Sequence, residues 1–249
     1  MLMKTNFDAV ITNDQRAHMA KYVRKTIGKI AKTKFKKDPL VVEDLSRSAS
    51  EISSAYKRHG FVLEEALRTA LKTRADLRAW TEKIAVPGQR KKIQTDLLTY
   101  QAATSTLAAY EIKRGFINQD SNARRVVEER LTALHGVLPN YALSKKMRVT
   151  DCKVAVVGYY DLKSKRIGAH AVIASPDLST EFGTLTMKFI KDVNDYFRHC
   201  LLRSEAPHLV GALQQMAELP AFREAVSSAA LSAIAFIPWG AATHPWDAL

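Results

Sequence analysis

Little in this sequence staples or anchors it. Two cysteines, Cys152 and Cys200, occur in 249 residues, with no C-x-x-C spacing and no partner histidine nearby. That excludes a disulfide framework and a structural zinc site, and both are expected as reduced, half-buried thiols. No apolar run approaches the roughly 20 residues needed to cross a bilayer. The opening MLMKTNFDAVITNDQ lacks the apolar centre of a signal peptide, so a cytoplasmic location is expected. Neither a GxGxxG nor a Walker loop is present. His18, His59, His135, His170, His199, His208 and His244 are scattered without metal-ligand spacing, and no internal repeat occurs.

What the sequence has in excess is positive charge. Lys and Arg number 38 against 25 Asp and Glu, a formal net charge of +13, and the pI is about 9.7. A surplus of this size attracts polyanions, and nucleic acid is the expected partner, with anionic lipid as the alternative. Residues 13–37 read NDQRAHMAKYVRKTIGKIAKTKFKK, with Met19, Val23, Ile27, Ile30 and Ala31 at helical spacing. The spacing predicts an amphipathic basic helix in which nine lysines and arginines stand against Asp14 alone. Lys25 and Lys29 are its expected contacts to a phosphate backbone.

Pro39 ends that pattern, and a second helix is expected over 42–58. Gly60 opens FVLEEALRTALKTRADLRAW, with Leu63, Leu67, Ala70, Leu71 and Leu77 along one helical face. After Pro87-Gly88 and the basic loop 89–92 come a strand over 93–100, the connector QAATST and a second strand over 107–113. Ser121 caps a helix through VVEERLTALHGVL that Pro139 closes, and CKVAVVGYY at 152–160 reads as a strand buried on both faces. Beyond Asp177, TLTMKFIKDVNDYFRHCLL sets Phe189, Val193, Phe197 and Leu201 on one stripe; short helices and an irregular tail, PWGAATHPWDAL, are expected after it. Helix, hairpin, helix and strand in that order predict an α/β (α+β) chain with a central mixed sheet flanked by helices.

Charges stand in the middle of that apolar hairpin, and they are costly there unless something binds them. A turn centred between Ala103 and Thr104 sets Asp96 opposite Glu111 and Gln94 opposite Lys113. With a period of two, Gln94, Asp96, Leu98, Ala109, Glu111 and Lys113 share one face. Opposed Cβ atoms lie about 5 Å apart, and two carboxylates that close repel unless a cation sits between them. Asp96 and Glu111 are hard oxygen ligands suited to Mg²⁺, with Mn²⁺ as a substitute; such an ion polarises a phosphate and activates water. Lys113 is placed to orient that water and to stabilise charge on the phosphate. Ile112 faces the core, and its backbone carbonyl completes the expected metal shell. The alternative is an exposed cross-strand ion cluster contributing at most about 1 kcal/mol. Arg90, Lys91 and Lys92 before the first strand, and Arg114, Arg124 and Arg125 after the second, are the expected phosphate contacts. The Lys-Ser-Lys-Arg stretch at 163–166 is either a further phosphate contact or a solvated turn.

Asp followed after fourteen residues by Glu-x-Lys, on a hairpin with a helix before it and a helix–strand unit after it, resembles the PD-(D/E)XK, or restriction-endonuclease-like, nuclease superfamily. The resemblance covers about residues 58–162. It implies that Asp96, Glu111 and Lys113 form the metal-and-water triad. It also implies that an acid of the preceding helix, Glu64 in preference to Glu65, reaches the metal site. Thr95 stands where such motifs often carry proline.

Three segments are expected: a basic helical arm (1–57), a nuclease-like core (58–175) and a helical extension packed on it (176–249). The expected function is that of a Mg²⁺-dependent DNA endonuclease acting in restriction or defence, or on mobile elements. It would be a homodimer if both strands are cut, with no membrane partner. The alternative from another class is a non-catalytic basic DNA- or RNA-binding protein that keeps the nuclease fold. A lipid-surface role for the 13–37 helix is a third.

Overall fold

Apolar spacing decides where the helices run. The computed structural model describes residues 11–33, 43–117, 119–204 and 244–249, without the side chains of 43–46 and 48. Lys34, Lys36, Lys37, Pro39, the start of the 42–58 helix, the helices expected after 204 and the tail up to 243 lie outside these residues. The chain divides into two compact units, Met1–Gln15 with Leu63–Asp192, and Arg16–Val62 with Val193–Leu249.

In the second of these units, α1 (Asn13–Ala31) buries Met19, Val23, Ile27 and Ile30, the stripe expected from spacing. Lys21, Arg24, Lys25 and Lys29 are exposed on its other side. Val62, Val193, Tyr196, Phe197 and Trp246 are also buried in this unit. Arg24 Nη1 donates to Tyr196 Oη at 3.1 Å, and His59 Nε2 and Asn194 Oδ1 share a hydrogen bond of 2.7 Å.

A single helix, α2 (Glu43–Leu71), replaces the two expected on either side of Gly60. Gly60 lowers helix propensity by about 1 kcal/mol relative to alanine, which the burial of Val62, Leu63, Ala66, Leu67, Ala70 and Leu71 outweighs. The helix also stops earlier than expected. Beyond Leu71 the chain turns, Arg74 grips Asp76 (Nε to Oδ1 3.0 Å), and Leu77–Trp80 is strand β1, not a further helical turn.

The other unit is built on a six-stranded mixed sheet with helices against it. Its strands are β1, β4 (Leu97–Gln101), β5 (Thr106–Lys113), β6 (Asp151–Gly158), β8 (His170–Ala174) and β7 (Lys165–Ile167), in that spatial order. β1, β4 and β5 run antiparallel; β5, β6 and β8 run parallel; β7 returns antiparallel at the edge, so Lys165 and Arg166 belong to a strand. The turn from β7 to β8 needs Gly168 at φ 53°. Leu97 faces Tyr110 and Gln101 faces Thr106, the register expected from the connector. The strand expected over 93–100 is interrupted, however. Ile93–Gln94 is a separate strand, β3, which pairs with β2 (Lys83–Ile84) in a two-stranded sheet, so Gln94 faces Lys83 and not Lys113.

Helix α3 (Ser121–Ser144) crosses over between the parallel strands β5 and β6. Asp120 Oδ1 caps it by accepting from Ala123 N at 2.8 Å. Pro139 lies inside α3 and does not end it. An interior proline forfeits one backbone bond and costs about 3 kcal/mol; the stripe Leu131, Leu134, Leu138 and Ala142, buried on the sheet with Leu98, Leu107, Ala109, Val154 and Val156, carries the helix through. Among the described residues no helix is long and apolar enough to cross a membrane.

Asp161 is 4 % exposed and closes the loop after β5, accepting from Phe116 N (3.0 Å) and Ile117 N (3.1 Å). A Cβ on Gly158 would overlap the Asp161 carboxylate, whereas one on Gly136 in α3 meets nothing within 4 Å. Gly158→Ala is therefore expected to lower stability by about 1–3 kcal/mol through loss of these buried hydrogen bonds, and Gly136→Ala to raise it by up to about 1 kcal/mol. Urea unfolding of the two variants checks both signs.

Candidate active site

Strand alternation places Ala109, Glu111 and Lys113 on the α3 side of β5, near the carboxyl ends of the parallel strands. Open α/β sheets hold ligands at that end. Glu111 is only 2 % exposed, so its carboxylate needs partners. Lys113 Nζ lies 2.7 Å from Glu111 Oε1, and Arg130 Nη1, from α3, lies 3.1 Å from the same oxygen. Arg130 also donates through Nη2 to the carbonyl of Gln94.

Asp96 stands at the bend immediately before β4. Its Oδ2 accepts from Ile112 N at 2.8 Å, which ties the bend to the strand carrying Glu111. Thus the amide of Ile112 meets an acid. Burial and the charge of Glu111 raise the Asp96 pKa, against the Ile112 hydrogen bond, Lys113 and Arg130, which lower it. Glu64 on α2 belongs to the same electrostatic cluster: burial and Asp96 raise its pKa to about 7, with Arg68 and Lys113 opposing and Glu111 adding to the rise. Glu65 is paired with Arg68 one turn on, so Glu64 is the helix acid that feels the hairpin.

Thr95 explains why no proline precedes Asp96. Its N–H donates to Glu82 O at 3.0 Å, its hydroxyl donates to the same carbonyl at 3.0 Å and accepts from Glu82 N at 3.1 Å. A proline has no N–H or hydroxyl and would leave this 1 % exposed position unsatisfied.

The expected phosphate contacts separate into groups. Arg90, Lys91 and Lys92 are all exposed on the loop joining β2 to β3. Arg114 lies with its guanidinium 5.5 Å from the centre of the Tyr160 ring. Arg124 is exposed at the start of α3, where Arg125 is engaged with Glu129 (2.7 Å) and Asn122 (2.9 Å). Lys25 and Lys29 are exposed on α1, in the other unit. Several histidines have structural partners: His170 shares a 3.0 Å hydrogen bond with Thr132, and His135 a 3.2 Å one with Cys152 O.

Arg130 is the site residue that sequence reasoning missed. It sits three residues after Val127 and one before Leu131, inside the apolar stripe of α3; a charge on such a stripe is the signal that finds it.

The donor chemistry suits a divalent cation. Glu64, Asp96 and Glu111 offer hard oxygens, and the raised proton affinity of Glu64 comes first from its burial and then from the neighbouring Asp96 charge. As the side chains stand, though, no three acidic, histidine or cysteine groups among the described residues enclose a metal position. Asp96 is turned to Ile112 N, and Glu111 to Lys113 and Arg130.

Because folding raises the Glu64 pKa from 4.5 to about 7, the folded chain holds a proton that the unfolded chain has released between those values. Glu64 therefore favours folding below about pH 4.5, and the advantage is lost as pH rises to about 7, a change on the order of 2–3 kcal/mol. Glu64→Gln is expected to flatten the fall in stability between pH 5 and 8 and to be more stable than the parent at pH 8; unfolding curves at both pH values check it. No protein-family model, curated protein or solved structure matches this chain, so the reading of this cluster rests on its own geometry.

Proposed function

We propose that the protein is a Mg²⁺-dependent DNA endonuclease with a restriction-endonuclease-like core. One observation carries the reading: a buried hairpin brings Asp96, Glu111 and Lys113 together with Glu64 from α2, at the end of a mixed sheet. The connectivity supports it, since α2, the antiparallel β4–β5 hairpin, the crossover α3 and the parallel strand β6 follow in the order that the resemblance requires.

A Mg²⁺ ion held by Asp96, Glu111 and Glu64 would polarise the scissile phosphate and lower the pKa of a water. Lys113 would orient an attacking water towards phosphorus, one P–O ester bond breaking as the new one forms and a proton of the water passing to the departing alkoxide. Lys113 also offsets the charge that builds on the phosphate. Arg90, Lys91 and Lys92 hold the nucleic-acid backbone beside the cluster. Restriction, defence or mobile-element processing, by a homodimer when both strands are cut, is the setting proposed.

A second reading has its own support. Arg130 and Lys113 both neutralise Glu111, and no enclosed metal position exists among the described residues. That arrangement also suits a basic DNA- or RNA-binding protein that keeps the fold without the chemistry.

Plasmid incubated with the protein is expected to be nicked in Mg²⁺ or Mn²⁺ and left intact in EDTA. Asp96→Ala and Lys113→Ala are each expected to lower the rate at least about 100-fold, as loss of a metal ligand or a charge-stabilising donor does. Intact plasmid with a tight gel shift selects the binder.

A further inference from the structure

Glu111 carries an arrangement that the proposed chemistry does not use. A single carboxylate oxygen accepts from two cations on different elements, Lys113 at 2.7 Å on its own strand and Arg130 at 3.1 Å on α3. In a site 2 % exposed, a divalent ion coordinating that carboxylate would meet two positive charges already beside it, and like charges at such range oppose one another by a factor of ten or more. One of the two has to give way.

The geometry distinguishes them. Lys113 holds Glu111 through a single ammonium on the same strand and the same face, and it is the group that the proposed reaction needs beside the water. Arg130 makes the longer contact and has a planar fork of five donors. One arm of that fork already rests on Gln94 O, at the base of the β2–β3 hairpin. When Glu111 Oε1 is taken, Arg130 keeps an anchor and a third of its side chain remains open to solvent (31 % exposed).

We infer that Arg130 is the internal counter-cation of the site: it holds the Glu111 carboxylate while no divalent ion is bound, and it gives up that carboxylate when one binds. Arg130 is thus a positioning residue whose charge sets the divalent-ion affinity. The inference rests on the metal-site reading above. A merely structural arginine would leave ion affinity unchanged or weaken it when removed; a competing cation does the opposite.

The test is Mn²⁺ binding to the full chain without DNA, followed by electron paramagnetic resonance, for the parent, Arg130→Gln, Arg130→Lys and Asp96→Ala. Arg130→Gln, which keeps a donor for Gln94 O and drops the charge, is expected to bind Mn²⁺ at least about tenfold more tightly. Arg130→Lys, which keeps the charge, is expected to stay within about threefold of the parent. Equal or weaker binding by a folded Arg130→Gln overturns the inference. Should that variant not fold, the parent decides the matter: its Arg130 guanidinium ¹⁵N resonances, identified by their loss in Arg130→Lys, are expected to shift on Mg²⁺ titration, and unmoved signals overturn it. Failure of the metal-site reading looks different, since Asp96→Ala would then bind Mn²⁺ as the parent does, whatever Arg130 does.

Discussion

The burial of one carboxylate governs this site. Glu111 lies in β5 beside Val156 of the parallel strand β6, one residue beyond the last pair with β4, and the side chains before it on its face of β5, Leu107 and Ala109, are apolar and buried. A charge so placed is tolerated only with close partners, and removing one partner of a buried pair costs about 3–5 kcal/mol. Lys113 and Arg130 meet that need, and through Arg130 helix α3 and the β2–β3 hairpin are tied to the same oxygen. Around it, Asp96 is held by the amide of Ile112, and Glu64 holds its proton more tightly because it is buried and lies near the Asp96 charge.

The same economy of partners recurs through the unit. Thr95 closes the base of the small hairpin with three bonds to the backbone of Glu82. The Glu82 carboxylate in turn accepts from Lys145 at 2.7 Å and from Tyr141. On the opposite face of the sheet, Glu181 accepts from both Lys153 (2.6 Å) and Tyr110. Glu82, Glu111 and Glu181 thus each accept from two donors, which offsets the cost of desolvating a carboxylate.

Much of the fold was legible wherever side chains settle the matter locally. The stripe of α1, the two central strands and their register followed from spacing and from the length of the connector. Asp96, Glu111 and Lys113 are marked by being charges in an apolar hairpin and Glu64 only by the resemblance, and the four converge electrostatically. Misreadings arose where tertiary burial overrides a local breaker, as at Gly60 and Pro139, both of which helices pass through. Others arose where an edge depends on a distant partner. Leu77 continues the 3.6-residue period of α2, but the four residues of β1 are extended by pairing with β4. The break at Thr95 was invisible because it is made by hydrogen bonds to Glu82, thirteen positions away.

That break has a consequence for how the molecule tolerates change. The β2–β3 hairpin forms its own two-stranded ladder, joined at its root to Glu82 and Arg130, with the Pro87-Gly88 turn and the exposed run Arg90, Lys91 and Lys92 at its far end. Residues gained or lost at that tip alter how far the cationic finger reaches, yet they cannot slide β4 against β5, whose alignment is set independently by the 102–105 bend. The finger can therefore be lengthened, shortened or recharged while the acids below stay in step.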